Sequence, residues 1–239
     1  MPLWAGVVSL LLLAGPGASE GASAVSRDPE AWLHDARVVL ARVESYRATF
    51  HKQERVDGRL LDEETIALKF RRPRMIHMRW LKEPFAGREV VYIEGRNGNS
   101  MRVREAGILG ILPVDLDPRG SLAMRGNRHA IVEAGIESLV ERLTDNLQRG
   151  RLAGELEVRG GGLEPVYGRQ TVRLEGSFPA SATGRYYCRR AVLSFDIERK
   201  VPIRAEIYDW DEALIERYGF EDLELDARLS ESDFALGRR

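Results

Sequence analysis

Cysteine is nearly absent from this chain: Cys188 stands alone in 239 residues. A single thiol excludes an intramolecular disulfide and leaves no basis for a cysteine-built zinc site. Cys188 lies in a strand-like run (RYYCRRAVLSFDI) and reads as a small buried apolar residue. Histidine is scarce too. His34, His51, His77 and His129 are the whole set, and no two stand at metal-ligand spacing. A GxSxG elbow, a GxxxxGK phosphate loop and an HExxH pair are all missing. Lysine supplies only Lys52, Lys69, Lys82 and Lys200, so 32 of the 36 basic residues are Arg. Either the base composition of the coding DNA or anion recognition by forked guanidinium groups accounts for that bias. An excess of one charge is also lacking, with 36 basic against 37 acidic residues. Such a balance excludes general nucleic-acid binding. Apolar runs after the N-terminus all fall short of the roughly 20 residues a membrane-spanning helix needs. No metal, cofactor, nucleic acid or stable membrane span is therefore expected, and no catalytic residue is named.

The N-terminus reads as an export signal. Leu3 to Ala14 is a short apolar run, Pro16 and Gly17 break it, and Ala22-Ser23-Ala24 supply the small residues of a cleavage site. Residues 1–24 are thus expected to be a signal peptide cleaved near Ala24, for a periplasmic protein. Residues 25–239 are expected to form one domain. No Lys or Arg precedes Leu3, and an uncleaved anchor is the alternative. No cysteine lies just after the run, so no lipid anchor is expected.

What is present is alternation. Asp28 and Pro29 start a helix whose Leu33, Ala36, Leu40 and Val43 recur on one face up to about Glu44. From Ser45 the period becomes two: Tyr46, Ala48 and Phe50, then Ile66, Leu68 and Phe70 after an Asp57-Gly58 turn, then Ile76, Met78 and Trp80 after Pro73. Further strands are expected over Glu89 to Glu94 and Ser100 to Glu105, around an Asn97-Gly98 turn. Ala106 to His129 has no clear period and reads as a long loop with, at most, a helical turn; its stretch 107–128 is a candidate lid. A helix is expected from Ile131 to Arg149 with Gly150 as its stop. Strands follow over Leu152 to Arg159, Gln170 to Gly176, Tyr186 to Glu198, Ile203 to Trp210 and Leu214 to Leu225, with Gly160-Gly161-Gly162 as a flexible turn. These elements predict an α+β fold built on a curved antiparallel sheet.

Two features point to binding. Tyr46, Phe50, Leu68, Phe70, Met78, Trp80 and Tyr92 give the early strands an aromatic and methionine face. Such a face is either ordinary core or the lining of an apolar cavity, where Met adapts to varied ligands. The second feature is Arg71-Arg72-Pro73. Pro73 pushes Arg72 toward extended geometry. Arg72 then either flanks a solvated turn or holds its guanidinium at the cavity rim.

The sequence Val43-x-Ser45-Tyr46-x-Ala48-x-Phe50-x-x-Gln53, followed by Phe70-Arg71-Arg72-Pro73 and Arg79-Trp80-x-x-x-Pro84, resembles the start of LolA-like periplasmic lipoprotein carriers. That superfamily includes outer-membrane lipoprotein-sorting proteins and RseB-type sensors. Tyr218-x-Phe220-x-Asp222-Leu223-x-Leu225-Asp226, with Asp233-Phe234, is similar to its closing strand and tail. Gly87-Arg88-Glu89-Val90, Asp117-Pro118-x-Gly120-x-x-Ala123-Met124 and His129-x-Ile131-x-x-Ala134-Gly135-Ile136 resemble a domain-of-unknown-function branch of it. The resemblance implies a strongly curved, unclosed antiparallel sheet, a half-barrel, with helices packed on its concave side, and lipid or lipoprotein cargo carried between transient membrane donor and acceptor proteins. It also implies a part for Arg72 in opening the cavity. An envelope sensor that binds without transport is the alternative it leaves open, with an envelope enzyme third.

Overall fold

The computed structural model describes residues 28–110 and 112–237; the expected signal segment lies outside them. Helix α1 (Pro29–Arg42) comes first. The Asp28 carboxylate accepts the Glu30 N–H at 3.0 Å and so satisfies one of the orphan donors at the helix start. Strands β1 (Ser45–Val56), β2 (Arg59–Leu60), β3 (Glu64–Arg71), β4 (Met75–Trp80), β5 (Glu89–Ile93), β6 (Met101–Arg104) and β7 (Val114–Leu116) follow. Then come helices α2 (Ser121–Met124) and α3 (Ile136–Leu152). Strands β8 (Glu157–Val166), β9 (Arg169–Ser177), β10 (Arg190–Asp196), β11 (Pro202–Tyr208) and β12 (Leu214–Leu225) end the order.

The strands form one antiparallel sheet in the order β7-β6-β5-β4-β3-β1-β12-β11-β10-β9-β8, with β2 paired to β1. The chain enters at the centre, meanders out to the β7 edge, crosses by α3 to the β8 edge and returns to lay β12 against β1. The sheet is open and curved, and α1 and α3 share one core with its inward face. Trp32 and Ala36 of α1 and Leu139, Val140 and Leu143 of α3 are buried there with Phe195, Ile203 and Ile207. This is the open, curved α+β sheet that the alternation and the family resemblance together lead one to expect.

Strand register stacks the inward residues into rows. One row runs Tyr46, Phe70, Ile76, Tyr92. The next runs Ala48, Leu68, Met78, Val90, Val103, Val114. A third runs Phe220, Phe50, Ile66, Trp80. On the opposite face the C-terminal turn Glu231–Phe234 is tied down by Lys69 Nζ donating to Asp233 at 2.9 Å and Arg71 donating to the Leu229 carbonyl at 3.2 Å. Among the described residues no helix is long and apolar enough to cross a membrane.

Several boundaries differ from the sequence reading. Helix α3 starts at Ile136 rather than Ile131, because Gly135 takes a φ of 117° and breaks the chain from the short turn Ile131–Glu133. Gly135 also lies directly under the Tyr46 hydroxyl, where a Cβ would collide. Gly150 does not stop the helix. It sits inside α3 with the Phe178 ring pressed against its backbone, and the helix runs on to Leu152. The residues after Leu152 therefore start no strand until Glu157. Gly160 to Gly162 lie within β8, which bulges between Gly160 and Leu163 against β9. A bulge of this kind twists an exposed edge away from further pairing. The expected loop Ala106 to His129 carries β7 and α2. Cys188 is buried just before β10, not in it, and burial pushes its thiol up to about 12.

The Gly150 contact gives a test of the packing. Alanine favours a helix interior by about 1 kcal/mol over glycine, yet overpacking a close contact costs about 1–3 kcal/mol. Gly150→Ala is expected to lower the urea midpoint. A stabilised variant would show that Phe178 does not pack on the helix backbone.

Candidate functional site

A mostly apolar cavity of about 720 Å³ opens between the β1–β7 half of the sheet and the segment 118–135. Its floor is the second and third rows: Phe50, Ile66, Met78, Trp80, Val90 and Val103, with Met101 and Phe220 beside them. Its roof is Pro118, Leu122, Ala123, Ala130, Ile131 and Ala134, and Leu139 of α3 closes the back. The volume falls within the range of roughly 300–1,000 Å³ common for small-ligand sites. At the mouth the Arg88 guanidinium lies over Phe85, 4.1 Å from its ring centre, and bonds Glu105 at 2.8 Å. Val114 and Leu122 line the cavity and remain 50% and 63% exposed.

The roof has no long helix of its own and is held by polar anchors. Glu54 and Glu216 are 3% and 1% exposed. A buried carboxylate is costly unless its charge is paired and hydrogen-bonded. Glu54 accepts the Tyr218 hydroxyl at 2.5 Å and the Arg128 backbone N–H at 2.8 Å. Glu216 accepts Arg128 Nε and pairs with His129 Nε2, both at 2.9 Å, and takes the Tyr187 hydroxyl as well. Lys52 donates to Asn127 at 2.7 Å and to Glu64 at 3.2 Å, and Trp80 Nε1 donates to the same Glu64 oxygen at 3.0 Å. Asn127, Arg128 and His129 thus fasten the roof to β1 and β12. Burial opposes the charge on Glu216, but His129, Tyr187 and Arg128 outweigh it and hold the carboxyl below its usual range. Burial, then Glu216 and Glu54, push the Tyr218 hydroxyl well above its usual range.

The structure divides the sequence-predicted site residues. Phe50, Met78 and Trp80 line the cavity. Tyr46, Phe70 and Tyr92 share their face but belong to the first row, which α3 fills. Tyr46 stacks on Phe70 at 5.0 Å; its hydroxyl donates to Glu137 and accepts the Ile136 N–H, both at 3.2 Å. Leu68 is packed into the core at 2% exposure and does not line the cavity. Arg72 is the clearest correction. Its guanidinium donates to the carbonyls of Leu40 and Val43, each at 2.9 Å, which end helix α1. A cation at a helix C-terminus satisfies orphan carbonyls and the helix dipole, so Arg72 anchors α1 instead of facing a ligand. The sequence reading offered 107–128 as a candidate lid, which overlaps the roof over 118–128, but missed residues 129–135 of the roof, Leu139 and the rim of charges. Tyr218 and Phe220 were legible as inward residues of β12. Among the described residues no cluster of three or more His, Cys, Asp or Glu could hold a metal ion.

A family model described as "Protein of unknown function (DUF1571)" matches residues 43–238. No curated protein matches the chain. Among similar solved structures is the MucA/MucB complex of Pseudomonas aeruginosa, at 18% identity over 88% of this chain and 62% of that one, with a TM-score of 0.48. Lipoprotein LppX of Mycobacterium tuberculosis matches at 14% identity over 85% of this chain and 99% of its own, with a TM-score of 0.50. A LolA-superfamily protein of Nitrosomonas europaea matches at 10% identity, 88% and 98% coverage and a TM-score of 0.36. This chain spans only 60% and 62% of the matched chains in the two MucB complexes. The likeness to LppX is one of fold.

Arg72→Leu is expected to cost about 1–3 kcal/mol and to speed hydrogen exchange in the last turn of α1; unchanged exchange there would contradict the anchoring role. A carboxyl whose folded pKa is depressed adds stability above its unfolded value of about 4.3, and that stability is lost as pH falls through the folded value. Glu216→Gln is expected to destabilise the protein at pH 7 by a few kcal/mol and to flatten the loss of stability on the acid side. A wild-type acid profile retained in the variant would mean that Glu216 does not carry it.

Proposed function

The chain belongs to the DUF1571 family of proteins of unknown function through residues 43–238, and from that premise we propose that it is a periplasmic carrier or binder of lipids, lipoproteins or other acylated amphiphiles. The observation that carries the reading is the cavity: about 720 Å³, apolar floor and roof, open at one side. The fold shared with LppX and the sequence resemblance to lipoprotein-sorting proteins support it. In this reading residues 25–239 act as one exported domain and residues 1–24 are removed on export.

Magnitudes favour an acyl ligand. Each methylene withdrawn from water contributes about 0.8 kcal/mol, so a twelve-carbon chain gives about 10 kcal/mol. Association costs about 4–15 kcal/mol. Binding is therefore modest and reversible, which suits a carrier that must release its cargo. Exposed Val114 and Leu122 on the cavity lining give the apolar group a route to a membrane or to a partner that donates or accepts cargo. The proposed role is binding, without catalysis.

The test is native mass spectrometry of the chain purified from a bacterial periplasm without detergent. A co-purifying acyl species supports the reading and names the cargo class. A bare mass, with no uptake of a fluorescent fatty acid, contradicts it. Ala134→Trp, which fills the cavity from the roof, is expected to cut uptake more than tenfold with little change in melting temperature; equal uptake would place the ligand elsewhere.

A further inference from the structure

The charges along the cavity are not all matched. Lys52 pairs with Glu64 at 3.2 Å and Glu54 at 3.7 Å, and Arg88 pairs with Glu105 at 2.8 Å. Glu133 pairs with Arg119 and His129. Arg59, Lys82 and Arg125 have no carboxylate partner but are exposed and hydrated, as are Asp62 and Glu83. Arg142 differs from all of these. It is half-buried, it lines the cavity, and among the described residues its side chain makes no hydrogen bond or ion pair. A guanidinium partly removed from water with no counter-charge is unfavourable unless something else supplies one.

Its position on α3 gives that state a use. Gly135, Leu139 and Arg142 all line the cavity, at spacings of four and three residues that put them on one stripe of the helix. The stripe starts beside the first row, where Gly135 lies under the Tyr46 hydroxyl, and reaches Arg142 about 10 Å further along the axis. An acyl chain lying on the apolar floor would thus have in Arg142 a half-buried cation with no carboxylate of its own. Arg offers a planar fork of donors that fits a carboxylate or phosphate with two parallel bonds.

We infer that Arg142 is the headgroup anchor of this cavity, and that the cavity selects amphiphiles with an anionic oxyacid headgroup, a carboxylate or a phosphate ester. This rests on the lipid-binding reading above and adds the class of headgroup to it.

Displacement of the neutral dye N-phenyl-1-naphthylamine from the full chain tests it, with hexadecanoate, hexadecyl phosphate and hexadecanol as competitors. Hydrogen bonds to charged groups are strong enough for a change of roughly tenfold or more. Both anions are expected to bind at least tenfold tighter than the alcohol, and the tighter of the two names the headgroup. Arg142→Gln should weaken both anions about tenfold and leave hexadecanol within twofold, and Arg142→Lys should keep part of the preference. An alcohol that competes as well as the anions, or equal loss for all three in Arg142→Gln, overturns the anchor and leaves the cavity reading standing. No displacement by any of the three overturns both.

Discussion

The sheet presents more inward apolar surface than its helices can cover. Eleven strands lie side by side in the main path of the sheet, and at about 4.8 Å per strand they span about 50 Å. Two long helices with side chains cover only about 20 Å of that arc. Helices α1 and α3 lie over the half built from β8 to β12, where Trp32 packs 5.8 Å from Phe195. Over the other half α3 reaches only the first row, at Tyr46, and no long helix lies above the second and third rows. An irregular segment, 118–135, covers them instead, and irregular backbone fills space less completely than a helix stripe does. The cavity is that shortfall.

A roof without regular structure needs other means of attachment, which explains the buried carboxylates. Glu54 on β1 and Glu216 on β12 sit at the central strand pair, and both hold the run Asn127 to His129. The interaction is directional, so it fixes where the roof sits as well as that it stays. Apolar contacts alone would leave the segment free to slide over the floor and close the cavity. Gly135 serves the same end: only a residue without a Cβ lets the Tyr46 hydroxyl reach the first turn of α3.

The sheet was legible in the sequence because period-two alternation is a local signal. Strand β12 matches its expected bounds of Leu214–Leu225, and the Asp57-Gly58 turn falls where it was read. Alternation reports which face a side chain is on, but not how far along that face it lies. Tyr46 and Phe50 look alike by that criterion, yet α3 fills the row of the first and leaves the row of the second open. The role of Arg72 was hidden for a related reason, since its partners are backbone carbonyls about thirty residues earlier. Gly150 read as a helix stop because glycine usually is one, and nothing local in the sequence announces a ring packed against its backbone. The roof was least legible, because its order depends on Glu54 and Glu216, both distant in the chain.

Methyl-labelled methionine is the most direct reporter of whether the shortfall is a binding site. Met78 and Met101 line the cavity, while Met75 lies on the other face of the sheet and outside the main core. Nuclear Overhauser contacts between a deuterium-free acyl ligand and the protein methyls are expected at Met78 and Met101 and absent at Met75. Contacts at Met75, or none at any methionine with the ligand bound, would contradict a cavity that holds acyl chains.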